Sequence, residues 1–490
     1  MSYKRIEDYG LIGNMHTSAL VGNDGSIDWL CLPFFDSPAV FNSLLDDEKG
    51  GHFSISAIDA VDNRQIYFPE TNVLITRFGS DHSAAQVTDF MPLHEDHVVG
   101  DDQWTDEQSE IDCEASKVVR LVQGLLGETS MRMECKPAFE FASTGHQVEK
   151  IQGEVIFTSD SGMRISLTAP CEFVVEDGTA YADFKLDHGE SIAFVLEQLD
   201  NNGGMPAEIT SDAADVQFKE TVDFWRDWVS KCTYQGRWRE DVIRSLLVLK
   251  LLTFSPTGTI IAAPTASLPE EIGGKRNWDY RYCWIRDAAL TIDAFMRMGY
   301  IDEARGFMRW LGRRTRETNG NYESPVQIMY GIHGEHHLEE KTLDHLSGYR
   351  DSKPVRIGNG AYNQFQLDIY GELMESVYIY NRHGWPISYY MWMSLTKILD
   401  WVAGNWQQPD EGIWEVRGGR KQFVHSKLMA WNALAKGLKL ADERSFPANR
   451  EMWISARDEI FREIMDKGWN EELQSFTQSY GSDVVDAALL

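Results

Sequence analysis

Near residue 215 the hydrophobic period of this 490-residue chain changes, and no other feature constrains its fold as much. Before that point short runs alternate apolar and polar residues. Met131-Arg132-Met133-Glu134-Cys135-Lys136 has the period of two that gives a strand one buried and one wet face. Leu74–Phe78, Val155–Thr158 and Ala193–Leu199 read the same way. Turn residues punctuate them at Gly22–Gly25, Ser159–Gly162 and Asn201–Gly204. Many short strands separated by such turns predict an antiparallel β-sandwich over residues 1–215.

After residue 215 the period becomes helical. The apolar positions predict helices over Trp238–Thr253, Ile285–Met298, Asp302–Arg316, Ala361–Tyr380, Ser388–Val402, His425–Leu440 and Asn449–Ile464. Residues 216–236 read as a helical linker, and 237–490 as a helical catalytic domain. Three long connections, Ser255–Trp284, Asn319–Gly360 and Ala403–Val424, are where chemistry is expected, because loops that long are usually functional.

Composition removes several classes of function. Acidic residues number 76 against 46 basic ones, for a net charge of −30. Nucleic acid and anionic membranes both need basic patches, so neither is an expected partner, whereas a neutral substrate is indifferent to that field. No apolar run is long enough to span a bilayer, and the N-terminus has no signal-peptide core, so a cytoplasmic location is expected. The six scattered cysteines read as small buried hydrophobes. Nine carboxylates between Glu95 and Glu114 follow no metal-loop spacing and read as a solvated surface loop. His333-Gly334-Glu335-His336-His337 fits neither zinc-helix spacing, so no metal and no cofactor is expected. Sixteen tryptophans hint at carbohydrate, whose flat apolar faces stack on indoles.

Two constellations carry chemical potential. Asn277–Asp287 runs from a long loop into a predicted helix. There Trp284 offers an apolar wall, and Arg286 and Asp287 offer donors and acceptors suited to vicinal hydroxyls. Spacing alone favours a plainer reading, with Asp287 capping the helix and Arg286 in a surface ion pair. The second is Asp410–Gly418, where Glu415 follows Trp414. A glutamate against an indole loses hydration, its pKa rises, and it can act as a general acid. Glu411 reads as its less sheltered neighbour. Taken alone, Glu415 is as consistent with a structural role as with a catalytic one.

Taken together, these motifs resemble glycoside hydrolase family 15, the glucoamylase, glucodextranase and bacterial trehalase group. The resemblance begins at Ile6–Gly13, runs through Leu20–Pro33, and resumes at Asn277–Asp287, Gly358–Glu372 and Gly412–Gly418. It implies a β-sandwich followed by an (α/α)6 barrel. It also implies exo-acting hydrolysis of α-glucosidic bonds in trehalose or malto- and isomalto-oligosaccharides, with inversion to β-glucose. By the same resemblance Glu415 matches the general acid and Trp414 its neighbour. Trp284, Arg286 and Asp287 match residues that hold the non-reducing glucose. Tyr280 matches a tyrosine facing the developing oxocarbenium charge, and Gln366 and Asp368 match polar pocket residues. Inversion requires a base across a gap of ~6.5–9.5 Å that holds a water. The family places that base between its eleventh and twelfth helices. The seven predicted helices therefore imply an incomplete barrel, with the general base outside this chain. Two alternatives follow: a phosphorylase in which phosphate replaces the base, and a sugar-binding fragment without turnover.

Overall fold

A computed structural model describes residues 3–93, 116–151, 153–199, 210–316 and 324–489. The acidic stretch Glu95–Glu114, Cys113 and the turn Asn201–Gly204 lie outside the described residues. The chain forms two compact units. The first comprises 1–256, 263–281 and 340–358, and the second comprises 257–262, 282–339 and 359–490.

The first unit is built on two eight-stranded antiparallel sheets. One contains Tyr9–Gly13, Ser18–Gly22, Ser26–Cys31, Ala39–Phe41, His52–Ala57, Thr129–Lys136, Val174–Glu176 and Thr179–Leu186. The other contains Asp62–Tyr67, Leu74–Gly79, Ala84–Phe90, Lys117–Leu126, His146–Ile151, Glu154–Ser159, Arg164–Thr168 and Ser191–Leu199. The expected alternation holds where it was clearest: Met131, Met133 and Cys135 are buried, and the residues between them are not. Their strand is central in its sheet, with Cys135 opposite Phe53 on one side and Ala180 on the other. Inward residues of both sheets, among them Val21, Phe53, Met133, Val87, Phe157 and Phe194, meet in one core, which makes the pair a sandwich. Each such side chain contributes roughly 1.5–3 kcal/mol on burial.

Three α-helices among the described residues belong to this unit. α1 (Phe139–Ala142) is a single turn with left-handed backbone at Glu140 and Phe141. α2 (Ser211–Ser230) starts where Thr210 Oγ1 accepts the Ala213 N–H at 3.2 Å, and α3 is Arg239–Leu251. Ala214 and Val222 of α2 pack on Val119 and Val195, covering the outer face of the second sheet. Most of the stretch 216–236, expected as a helical linker, is the body of α2.

The second unit carries α4 (Ile285–Arg297), α5 (Ile301–Arg314), α6 (Asp368–His383), α7 (Tyr389–Asn405), α8 (Val424–Arg444) and α9 (Arg450–Glu463). α6 packs against both α4 and α8. The α6–α8 contact requires a glycine, since a Cβ on Gly371 would lie 2.5 Å from the Met429 carbonyl oxygen. The helix expected over Ala361–Tyr380 begins only at Asp368. Its first seven residues are instead a 3-10 turn and an extended segment, tied to the Asp410–Glu415 loop. No helix among the described residues is long and apolar enough to cross a membrane.

Candidate active site

Three helices of the second unit begin at one place. Arg286 and Asp287 lie in the first turn of α4, Asp368 opens α6, and His425 is the second residue of α8. Helix N-termini favour negative charge, which suits a cluster of carboxylates there. The reading of Asp287 as a helix cap does not hold, because α4 starts after Trp284 with no side-chain cap. Nor is Arg286 in a surface ion pair: its side chain is only 12% exposed.

The loop with Glu415 is fastened to the segment before α6 by four hydrogen bonds. The Leu367 N–H donates to Asp410 Oδ2 at 2.9 Å, and the Phe365 N–H to Glu411 Oε2 at 2.9 Å. The Glu411 N–H returns a bond to the Phe365 carbonyl at 3.0 Å, and Gln364 Nε2 donates to the Glu415 carbonyl at 3.4 Å. Gly412 and Glu415 both take the left-handed backbone, with φ of 68° and 53°. For a glutamate this conformation is strained, and the fastened loop on both sides enforces it.

Glu415 Oε1 receives two donors. The Trp284 indole N–H approaches at 2.7 Å and Arg286 Nη2 at 3.3 Å. The other guanidinium nitrogen, Nη1, reaches Asp368 Oδ2 at 3.0 Å and Gln366 Oε1 at 3.1 Å. Asp368 is fully buried and its Oδ1 has no partner, and Gln366 is also buried. Asp287 is the accessible carboxylate of the cluster, half exposed, with its Oδ2 3.9 Å from Arg286 Nε. Burial pushes the Glu415 carboxyl up, although Arg286 and the Trp284 N–H both pull it down.

Trp414, next to Glu415 in sequence, is half exposed and donates its indole N–H to Asp486 at 2.9–3.0 Å. The indole bonded to Glu415 is that of Trp284. Glu411 is not the less sheltered glutamate. Its side chain is 15% exposed against 22% for Glu415, because its carboxylate binds both the Phe365 N–H and Arg420. Tyr280 belongs to the first unit, half-buried just after the strand Asn277–Asp279.

Sequence reasoning missed three groups here. Glu372, one turn beyond Asp368 on α6, is pushed up to about 7 by burial and by Asp368. Asp410 is pushed up to about 7 by burial. His425, whose Nδ1 has no partner, is pushed down by burial. A Glu four residues after an Asp on a predicted helix was the one available signal for Glu372. In the histidine-rich loop His336 Nδ1 meets Gln327 Oε1, and His337 Nδ1 meets the Tyr362 hydroxyl at 2.9 Å. No group of three or more His, Cys, Asp or Glu side chains able to hold a metal ion occurs among the described residues.

The profile of Glycosyl hydrolases family 15 matches residues 236–490, and a trehalase-like N-terminal profile matches residues 2–197. A trehalase of Thermoplasma volcanium is 36% identical, over 100% of this chain and 75% of its own length. One from Mycolicibacterium smegmatis is 35% identical, over 99% of this chain and 73% of its own. Among solved structures, a glycosidase in complex with glucose is 19% identical with a TM-score of 0.38, covering 51% of this chain and 61% of that one.

Proposed function

The chain belongs to glycosyl hydrolase family 15, and on that premise we propose that it hydrolyses the α-glucosidic bond of trehalose with inversion, Glu415 serving as general acid. The arrangement that supports this is the pair of N–H donors on one oxygen of Glu415. With Oε1 engaged by Trp284 and Arg286, the proton sits on Oε2. Burial raises the affinity of Glu415 for that proton, and the strained backbone fixes its direction. Transfer of the proton to the glycosidic oxygen lets its bond to the anomeric carbon break and charge develop on the sugar ring, while a water adds to that carbon from the opposite face and passes its proton to a general base not identified among the described residues. Trp284, buried, serves by orienting Glu415 through its indole N–H and not as the apolar wall its motif suggested. Arg286 and the accessible Asp287 take the glucose hydroxyls, and Glu411 and Asp410 hold the acid's loop to α6. Both relatives named above are trehalases, which favours hydrolysis over phosphorolysis or binding without turnover.

The stereochemistry of the product tests this. Trehalose joins two α-anomeric carbons. Inversion at one of them yields one β- and one α-glucose, whereas retention yields two α-glucose. Proton NMR in the first minutes of reaction is expected to show the two anomers in equal amounts. Early product that is all α contradicts inversion, and glucose from maltotriose but not from trehalose contradicts the substrate.

A further inference from the structure

Arg286 is divided. One nitrogen serves Asp368 and Gln366, the other serves Glu415, and a single planar group spans both. Asp368 has no exposed surface, so as the protein stands it does not touch a sugar. Its effect on the reaction must pass through what it holds.

We propose that Asp368 is a positioning residue that acts through Arg286: it anchors and partly neutralises the guanidinium, and so decides whether Glu415 keeps the proton it must donate. The inference rests on the assignment of Glu415 as general acid. Without Asp368 the guanidinium is free to give its whole charge to Glu415, the carboxylate is favoured, and the acid is lost at working pH. With Asp368 in place, Arg286 orients Glu415 Oε1 without stripping its proton.

The surrounding charges are few. Arg286 and Asp287 of α4 face Glu415 directly. Asp368 and Glu372 of α6 face Arg286, with Asp287 also facing Glu372. His425 of α8 faces Asp368, Arg286 and Asp486, and Asp410 faces Asp368 and Lys427. Among these groups only Arg286 bonds to both Asp368 and Glu415, and it does so at 3.0 and 3.3 Å.

The test is a carbon-13 NMR titration of the glutamate carboxyls without substrate, the Glu415 signal being the one absent in Glu415→Gln. Asp368→Asn is expected to lower the Glu415 midpoint by about one pH unit, tenfold in proton affinity. Arg286→Gln is expected to raise it. The double variant Asp368→Asn/Arg286→Gln, which removes both charges together, is expected to match Arg286→Gln alone. A midpoint in the double variant lower than in Arg286→Gln, by as much as Asp368→Asn lowers the wild type, overturns the proposal, because Asp368 would then act directly. An unmoved midpoint in Asp368→Asn overturns it as well. If Asp368→Asn does not fold by circular dichroism, any midpoint of the double variant below that of Arg286→Gln overturns the proposal, and equal midpoints support it. Failure of the underlying reading is separate: Glu415→Gln would keep full turnover whatever the midpoints do.

Discussion

The sandwich buries Arg120 against Asp89 and the helical unit buries Arg286 against Asp368, and these two pairs are finished differently. In the sandwich, Arg120 grips Asp89 with Nε at 2.7 Å and Nη2 at 3.3 Å. Its remaining donors go to the Phe53 and Gly25 carbonyls at 2.6 Å each, and the guanidinium lies 4.7 Å from the Phe53 ring centre. Both side chains are fully buried. In the helical unit, Arg286 shares its donors among three side chains, keeps an exposed edge, and leaves Asp368 Oδ1 bare. The first arrangement is closed, and its charges do nothing but hold strands together. The second is open, and burial beside it pushes the neighbouring Glu372 and Glu415 carboxyls up. A buried ion pair is thus read by whether its valences are filled.

The largest expected effect comes from opening the closed pair. Arg120→Met strands Asp89 without a counter-charge and is expected to destabilise the first unit by about 3–5 kcal/mol, measured by chemical denaturation. Trehalose turnover per folded molecule should not change, and a loss there would erase the distinction between the two pairs. A smaller effect is expected at the open one. Trp284→Phe removes the N–H that favours ionised Glu415, so the acid's pKa rises and the alkaline limb of kcat/KM moves to higher pH. The rate should fall about tenfold through lost orientation, as for one hydrogen bond to an ionisable group. An alkaline limb that moves down contradicts the assigned geometry.

The smallest effect has the opposite sign. Glu372 sits near 7 in the fold against an ordinary value of 4.5. The fold therefore favours its neutral form, and the stability this contributes is complete below 4.5 and lost as pH rises through about 7. Glu372→Gln keeps a neutral side chain at every pH, so Tm at pH 8 is expected to rise by about 2 °C and its decline between pH 5 and 8 to flatten. A Tm that falls at pH 8 would mean that Glu372 is stabilised as a carboxylate.

Legibility in the sequence followed the range of the interactions. Met131, Met133 and Cys135 announced their strand because alternation reports burial residue by residue. The start of α6 was misplaced by seven residues because the Phe365 and Leu367 N–H groups find acceptors on Glu411 and Asp410, more than forty residues away. Trp284, Arg286 and Glu415 were singled out by motif, and they do converge. Their division of labour was hidden: the indole on Glu415 comes from Trp284 rather than adjacent Trp414, and Asp368 reaches Arg286 rather than open space. Such details depend on which segments bury one another, and a local pattern does not carry that.

One measurement bears most directly on the account: the rate of glucose release from trehalose by Glu415→Gln beside the wild-type chain, with Tm recorded for both. Loss of the proton donor is expected to lower kcat by about 10²–10⁴-fold while Tm stays within a degree or two of wild type, since the amide still accepts the Trp284 and Arg286 N–H groups. Turnover that survives the substitution would contradict the central claim that Glu415 is the acid this site is built around.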